Sequence, residues 1–526
     1  MPNLELRTWN RELEPGTGNL EPELYGTLRR RMGFSAVDYV VLAAYLVGIT
    51  IFGSRFRRSH RTVHDYFLGN RRTHWLVISL SIVATETSTL TLIGVPALAY
   101  TVYARPELGG SFTYLQVVAG YIVARFVISW LLIPAYFQGD MQTAYELLNR
   151  RFGSAAKHFA ASLFLIMRAL AEGVRVFAAS LVLAAVLSAA APTLPHLWLW
   201  SIVIVGLLTL VYTFEGGIAA VIWTDLIQLV IYVAGSLLAA YMLVRLVPGG
   251  WSAIVADARA AGKIQFVSWS TDLSVPFTFW AGLIGGCFLT MASHGTDQLL
   301  VQRLLTCRSQ RDSKLALITS GFVVFAQFAL FLTIGMMLHA YYATHPLPPG
   351  ITSASNDEIF PSFIVRSLPH GIAGLVIAAV FAAAMSNLSG SLNSLASTTV
   401  LDFYQPLTGE DDDGRLLRLS RWLTASWGIV LMAIAVLARG WGSVFTVGLT
   451  IASIVYGPML GAFLLGVLTK TTTERGVIAG IGVSLAAMIA VRLFTPLAWT
   501  WYVLAGTAIC VATGAAASGL IPAPRR

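Results

Sequence analysis

"SLSIVATETSTLTLIGVPALAY", Ser79 to Tyr100, is apolar and long enough to cross a bilayer, yet it carries Glu86. Thr85, Thr87, Ser88 and Thr89 surround that glutamate, and Gly94 and Pro96 follow. An ionisable side chain at bilayer depth is costly and points by default to a binding site or a pathway. Unwound backbone survives at that depth only where it lines a cavity or is covered by protein. The stretch therefore predicts a membrane span broken near its middle.

The rest of the chain supports a membrane setting. Of 526 residues, 56% are hydrophobic and 12% charged, too little polar material for a soluble protein of this length. About thirteen apolar runs of roughly 20 residues recur. They lie near 35–53, 75–103, 113–138, 156–190, 197–214, 218–246, 275–305, 315–343, 371–402, 417–439, 442–468, 476–494 and 497–520. The expected fold class is all-α, a polytopic membrane protein of about 13 transmembrane helices. Cys287, Cys307 and Cys510 form neither a disulfide framework nor a metal spacing. No nucleophile–base set or nucleotide motif is present, so an enzyme is not expected.

The net charge of +9 reads as topology and not as nucleic-acid binding. If the spans alternate, one side collects Arg55, Arg57, Arg58, Arg61, Arg71 and Arg72, then Arg150, Arg151 and Lys157. Arg303, Arg308, Arg311 and Lys314 fall there too, with Arg415, Arg418, Arg421, Lys470, Arg475, Arg525 and Arg526. The positive-inside rule makes that side cytoplasmic. The expectation is a multi-pass protein of the cell (plasma or inner) membrane, N-terminus outside and C-terminus cytoplasmic. Arg29, Arg30 and Arg31 run against this bias. Residues 1–34 read as a polar tail without a signal-peptide core.

A second span looks broken: "AGLIGGCFLTMASHGTDQLLVQRLL", residues 281–305, with Gly282, Gly285, Gly286 and Gly295 beside His294 and Asp297. The spacing of the two broken spans is what an inverted repeat of five plus five helices predicts, each half opening with an unwound helix. The expected division is an extra first helix at 35–53, a first five-helix repeat at 75–246, a second at 275–468, and two further helices with a short tail at 476–526. Glycine-rich packing helices are the alternative, but they leave Glu86 and Asp297 unexplained.

Four motifs resemble one family: "GNRRTHWLVISLSIVATETSTLTLIGVPALAY", "VYTFEGGIAAVIWTDLIQLVIYVAGS", "GTDQLLVQRLL" and "FAAAMSNLSGSLNSLASTTVLDFY". Their order and positions are similar to the sodium:solute symporter family. That resemblance implies a leucine-transporter-like inverted-repeat core and Na+ as the coupling ion, with no organic cofactor and no other metal. It places a sodium site on the carbonyls of Ala84, Thr87 and Ala383 with the side chains of Ser386 and Asn387. Asn387 stands where the family has a serine; an amide oxygen is also a hard neutral donor. A second sodium, present in some members, would use Asp225 and Ser389, but Gly390 stands where another serine is usual. Asp225 is equally readable as a structural anion paired with an arginine.

The resemblance puts Val324, Ser293, His294 and Thr450 at positions where sugar-transporting relatives hold the sugar. None of those contact types is kept, so a sugar of that pattern is not expected. Glu86, Thr91, Arg175 and Thr290 complete the substrate candidates. Arg168, Glu172 and Arg175 form one helical stripe with one positive charge in surplus, either a carboxylate anchor or an ion-pair ladder. Glu86 has three readings: ordering the unwound turn, pairing with a cation such as Arg175, or touching substrate. The resulting expectation is a sodium-coupled symporter importing a small organic solute, such as a carboxylate, by alternating access. Proton coupling through Glu86 or Asp225, with an amino acid or polyol as solute, is one rival. A transporter-like sensor is another, disfavoured by the lack of a signalling domain. The expected partners are the small-molecule substrate, Na+ and the lipid bilayer, without nucleic acid, and a monomer is compatible with them all.

Overall fold

The computed structural model describes residues 34–56, 62–71, 73–139, 141–190, 194–347, 358–441 and 444–520. The polar tail with Arg29, Arg30 and Arg31, the loop arginines Arg57, Arg58, Arg61 and Arg72, and the terminal Arg525 and Arg526 lie outside the described residues. We number the long helices in chain order. They are α1 (Ala36–Ser54), α2 (Trp75–Glu86), α3 (Thr89–Tyr100), α4 (Leu115–Leu131) and α5 (Ser154–Ala190). Next come α6 (Leu197–Phe214) and α7 (Gly216–Leu246). The second half holds α8 (Gly286–Gly295), α9 (Gln298–Leu305), α10 (Gln310–Thr344), α11 (Ile372–Ser397), α12 (Asp413–Ala438) and α13 (Val444–Leu468). The chain closes with α14 (Glu474–Phe494) and α15 (Tyr502–Leu520).

Among the described residues, 10 helices are long and apolar enough to cross a membrane, or 11 when the bent pair α2 and α3 is one span. The expected count of about thirteen differs by two runs. One is α5, which carries Arg168, Glu172 and Arg175. The other is 281–305, divided into a π-helical turn at Ala281–Gly285 and the short helices α8 and α9.

The break in the opening stretch lies between α2 and α3, which bend by 61°. Thr85 and Thr87 return their hydroxyls to the carbonyls of Ser81 (2.8 Å) and Val83 (2.9 Å). Such back-bonding competes with the helix ladder. Ser88 is then fully extended, at φ −90° and ψ 171°. The residues expected to interrupt the span do not. Gly94 and Pro96 both lie inside α3. Pro96 instead marks a close crossing: a Cβ on Gly335 of α10 would stand 2.2 Å from the Pro96 carbonyl oxygen.

The second break sits at Thr296–Asp297, C-terminal to the glycine cluster expected to make it. Gly282 and Gly286 have a packing role. A Cβ on either would lie within 2.7 Å of the α4-side backbone at Gln116 or Val117. Both helix ends at the break are satisfied, as buried ends must be. The Tyr136 hydroxyl donates to the Gly295 carbonyl, and Asp297 caps α9 by accepting from the Leu299 N–H at 2.9 Å.

α11 runs through the centre of the bundle, with 89% of its apolar window buried, whereas α1 at 22% lies at the periphery. α6 and α7 join at Gly217, whose φ of +52° suits glycine, and a Cβ there would meet the Tyr66 carbonyl at 2.6 Å. At the far end of α3 the buried ammonium of Lys263 donates to the carbonyls of Ala99 (2.8 Å), Tyr100 (2.8 Å) and Thr101 (3.1 Å). Beside the Ala97 and Leu98 carbonyls, which accept from Thr101 and from the Gly110 N–H, it serves the remaining carbonyls of that helix C-terminus. Lys263→Met, of similar length but without donors, is expected to cost about 1–3 kcal/mol by stranding those carbonyls. A melt of the purified protein in detergent checks this. An unchanged melting temperature would show that water replaces the lysine there.

Candidate functional site

The residues expected to bind sodium gather where α2 ends against α11. Breaking a helix frees its last carbonyls. The Thr85 carbonyl accepts from Asn387 Nδ2, while Asn387 Oδ1 is buried and has no hydrogen-bond partner among the described residues. Ala84, Thr87, Ala383, Ser386 and Asn387 are all buried. Gln327 of α10 donates to the Thr87 hydroxyl at 2.6 Å and fixes the broken turn from a third side.

Asp225 on α7 stands beside this cluster. Its Oδ1 accepts from Ser386 Oγ at 2.6 Å, and its Oδ2 accepts from Ser81 Oγ at 2.6 Å and Thr85 Oγ1 at 3.3 Å. Arg303 of α9 completes the shell, with Nη2 at 3.0 Å from Oδ2. Both charged side chains are 0% exposed. Ser389 turns away and donates to the Ser386 carbonyl at 3.0 Å. Of the two readings of Asp225, the arginine-paired anion is the one with atoms in contact.

A cavity of about 130 Å³ opens next to these groups. Glu86, Thr91, Arg175, Thr290, Ser293 and His294 line it, as expected, together with Asn387. Val324 and Thr450 do not. Val324 is buried in packing one turn before Phe328, which does reach the cavity. On α13 the lining face is Gly448, Leu449, Ala452 and Tyr456, and Thr450 is rotated off it. Tyr114, Tyr121 and Phe328 form an aromatic wall, with Tyr114 and Phe328 stacked at 5.5 Å between centroids.

The charges in and around the cavity form three acid–arginine pairs. Glu86 binds Arg125 of α4, with His294 Nε2 at 3.3 Å from the same carboxylate. Arg125, not Arg175, is thus the cation of Glu86. Arg125 also donates to Ser320 Oγ (3.1 Å) and the Tyr121 carbonyl (3.2 Å), and it is 0% exposed. Arg168 leaves the stripe on α5 and pairs with Asp297, whose Oδ2 also accepts from Tyr456 OH at 2.8 Å. Only Arg175 stays with Glu172, at 3.1 Å, and Ser391 Oγ joins that carboxylate at 2.9 Å. The surplus positive charge expected of the stripe is therefore balanced by a residue from the other half of the chain.

The profile of the sodium:solute symporter family matches residues 66–483. The chain belongs to that family. The symporter is 30% identical over 492 residues to a sodium/sialic acid symporter of Aliivibrio fischeri, covering 91% of this chain and 92% of that one. It is 29% identical over 504 residues to the human sodium/iodide cotransporter, covering 93% and 76%. A solved Na+-coupled sialic acid symporter in a substrate-bound outward-open state superposes with a TM-score of 0.81 at 29% identity, covering 94% of this chain and 99% of that one. A nucleobase–cation symporter, at 12% identity and a TM-score of 0.53, shares the fold. The symporter is a multi-pass membrane transporter with the inverted-repeat core of these proteins, and not an enzyme.

Na+, the coupling ion of the family, is a hard cation that takes oxygen donors. The freed end of α2, the Ser386 hydroxyl and the unpartnered Asn387 Oδ1 are of that type. Arg125, Arg303, Tyr456 and Gln327 are missing from the candidates that sequence suggests. A lone arginine inside the apolar run 113–138 is the signal that marks Arg125. Arg303 reads in sequence as a loop arginine, because α9 extends the membrane segment past the second break.

Proposed function

We propose that this symporter couples Na+ to the uptake of a small organic anion whose carboxylate binds Arg175. One observation carries the reading. Of the two arginines lining the cavity, Arg175 has 21% of its side chain exposed and Arg168 only 4%. Arg125 and Arg168 are enclosed by Glu86 and Asp297. Three arginines facing three acids make a nearly neutral site. An anion entering with one Na+ keeps that balance at a depth where net charge is costly. The relatives named for sialic acid and iodide are anion transporters, in agreement with this.

In the cycle, Na+ bridges α2 and α11, the solute binds between the two breaks, and residues 75–246 and 275–468 move as inverted repeats. The N-terminus lies outside and the arginine-rich loops inside. By linkage, Na+ raises solute affinity by the factor by which solute raises Na+ affinity. Proton coupling is the weaker reading: protonating Glu86 or Asp225 would strand Arg125 or Arg303 as a buried unpaired charge.

A thermal-shift panel of small carboxylates and their amides, in Na+ and in choline, tests the proposal. A ligand at 100 times its Kd stabilises by about 2.7 kcal/mol. Carboxylates should shift the melt only with Na+, and Arg175→Gln should lose that shift while keeping the response to Na+ alone. Equal shifts from the amides would refute the anion, and equal shifts in choline would refute sodium coupling.

A further inference from the structure

We infer that the symporter holds one bilayer phospholipid at a fixed site on its flank, with an acyl chain between α5 and α12 and an ammonium headgroup beside Asp402. α11 continues beyond Ser397 as a π-helical turn, Thr398–Tyr404. Such turns are rare and recur at functional sites. A cleft of about 530 Å³ lies against this turn, walled by Leu165 and Ala169 of α5, Phe403 of the turn, and Trp427 and Ile434 of α12. α5 and α12 touch at one end of it, where a Cβ on Gly173 would stand 2.3 Å from Ile434 Cγ2. The cleft opens to the bilayer: Ile166 on its rim is 60% exposed, and only 28% of the apolar window of α12 is buried. Its two hydroxyls are already engaged. Ser162 donates to the His158 carbonyl at 2.8 Å, and Thr399 donates to the Leu395 carbonyl at 2.8 Å while accepting from Trp427 Nε1 at 3.0 Å. A buried water needs several polar partners, which this wall lacks, so the occupant is hydrocarbon.

The other side of the turn is polar. A second cavity, of about 560 Å³, is lined by Glu146, Lys157, His158, Asp402 and Gln405. Phe403 of the cleft and His158 of the cavity stack at 5.3 Å between centroids, so the apolar and polar spaces meet at one pair of rings. Together they have the layout of an amphiphile. Asp402 is 0% exposed. Its Oδ1 accepts from Thr143 Oγ1 at 2.7 Å and pairs with Lys157 Nζ at 3.1 Å, whereas its Oδ2 has no hydrogen-bond partner among the described residues. A buried carboxylate oxygen calls for a donor. Lys157 is divided between Asp402 and Glu146, which lies 3.7 Å away, so a charged donor is favoured over a neutral one. His158 Nε2, also buried and without a partner among the described residues, is left to donate to a phosphate. A primary ammonium carries both the charge and the N–H groups that Asp402 Oδ2 calls for. A choline nitrogen has no N–H, and a glycerol headgroup has no cation. The chemistry indicated is that of phosphatidylethanolamine.

The test uses the purified full-length symporter, stripped of lipid and then given phosphatidylethanolamine, phosphatidylcholine or phosphatidylglycerol with identical chains. Native mass spectrometry counts the lipids retained, and a melt in detergent reads their effect. Phosphatidylethanolamine should remain as one tightly held copy and raise the melting temperature, because a ligand of the folded state stabilises it. The other two should wash off and shift the melt little. Ala169→Phe, which fills the cleft from α5, should lose both the bound copy and the shift. Ser162→Phe narrows the cleft at its other end and should do the same if Ala169→Phe fails to fold. No retained lipid on the wild type, or wild-type retention in a folded cleft variant, would overturn the site. Equal retention of all three lipids would overturn the ammonium headgroup, as would an Asp402→Asn variant that keeps the wild-type preference.

Discussion

Arg125→Ala should lower the stability of the purified protein by about 3–5 kcal/mol, the range for breaking a buried ion pair from one side. The guanidinium is 0% exposed and holds four elements at once: Glu86 at the end of α2, His294 on α8, Ser320 on α10 and the carbonyl of Tyr121 one turn back on α4. α10 comes close because residue 321 is glycine; a Cβ there would meet Arg125 Cδ at 2.8 Å. Removing the side chain leaves the Glu86 carboxylate, only 12% exposed, with His294 as its remaining close partner. Arg125→Lys should rescue little, since one ammonium cannot reproduce a planar fork reaching Glu86, His294 and Ser320. Adding Glu86→Gln to Arg125→Ala should recover part of the loss, because no orphan charge remains. Melts of the two single variants and the double variant complete the cycle. A double variant no more stable than Arg125→Ala would show that the cost lies in packing and not in the carboxylate.

The second large effect is expected at Asn387. Asn387→Leu keeps the approximate size and removes a buried oxygen beside the end of α2 that has no hydrogen-bond partner among the described residues. Losing a buried polar contact worth about 1–3 kcal/mol corresponds to a loss of apparent Na+ affinity of roughly 5- to 150-fold. Asn387→Ser returns an oxygen donor and should restore much of the response. Uptake against Na+ concentration measures the change, and a melt in choline separates it from the loss of the hydrogen bond to Thr85. If Asn387→Leu keeps wild-type sodium affinity, Asn387 is structural and the ion lies elsewhere.

Much of the site is legible in sequence because intramembrane polarity is expensive and therefore conspicuous. Glu86 and His294 stand out at once, and both reach the cavity. The Thr and Ser run around Glu86 likewise marks a break, and the break is there. Its atoms were harder to place. Pro96, Gly282 and Gly286 read as helix breakers, yet they mark or permit close crossings, because glycine removes a Cβ as readily as it loosens a backbone. The family resemblance puts Val324 and Thr450 among the substrate candidates, but whether a residue faces a cavity depends on helix rotation, and neither lines it.

The sequence alone determines that this chain is a helical membrane protein with two broken spans and ionisable groups inside them, because a bilayer leaves few ways to satisfy a backbone and few reasons to bury a charge. Tertiary structure decided which charges meet. Along α5 the stripe Arg168, Glu172 and Arg175 leaves one positive charge in surplus, and only packing shows that Arg168 crosses to Asp297. Glu86 takes Arg125 from α4, and Asp225 takes Arg303 from α9. Helical spacing restricts partners within one helix to neighbours three or four residues away, whereas these pairs span 39 to 129 residues and exist only once the helices pack. Which arginine is left to face the cavity follows from that packing.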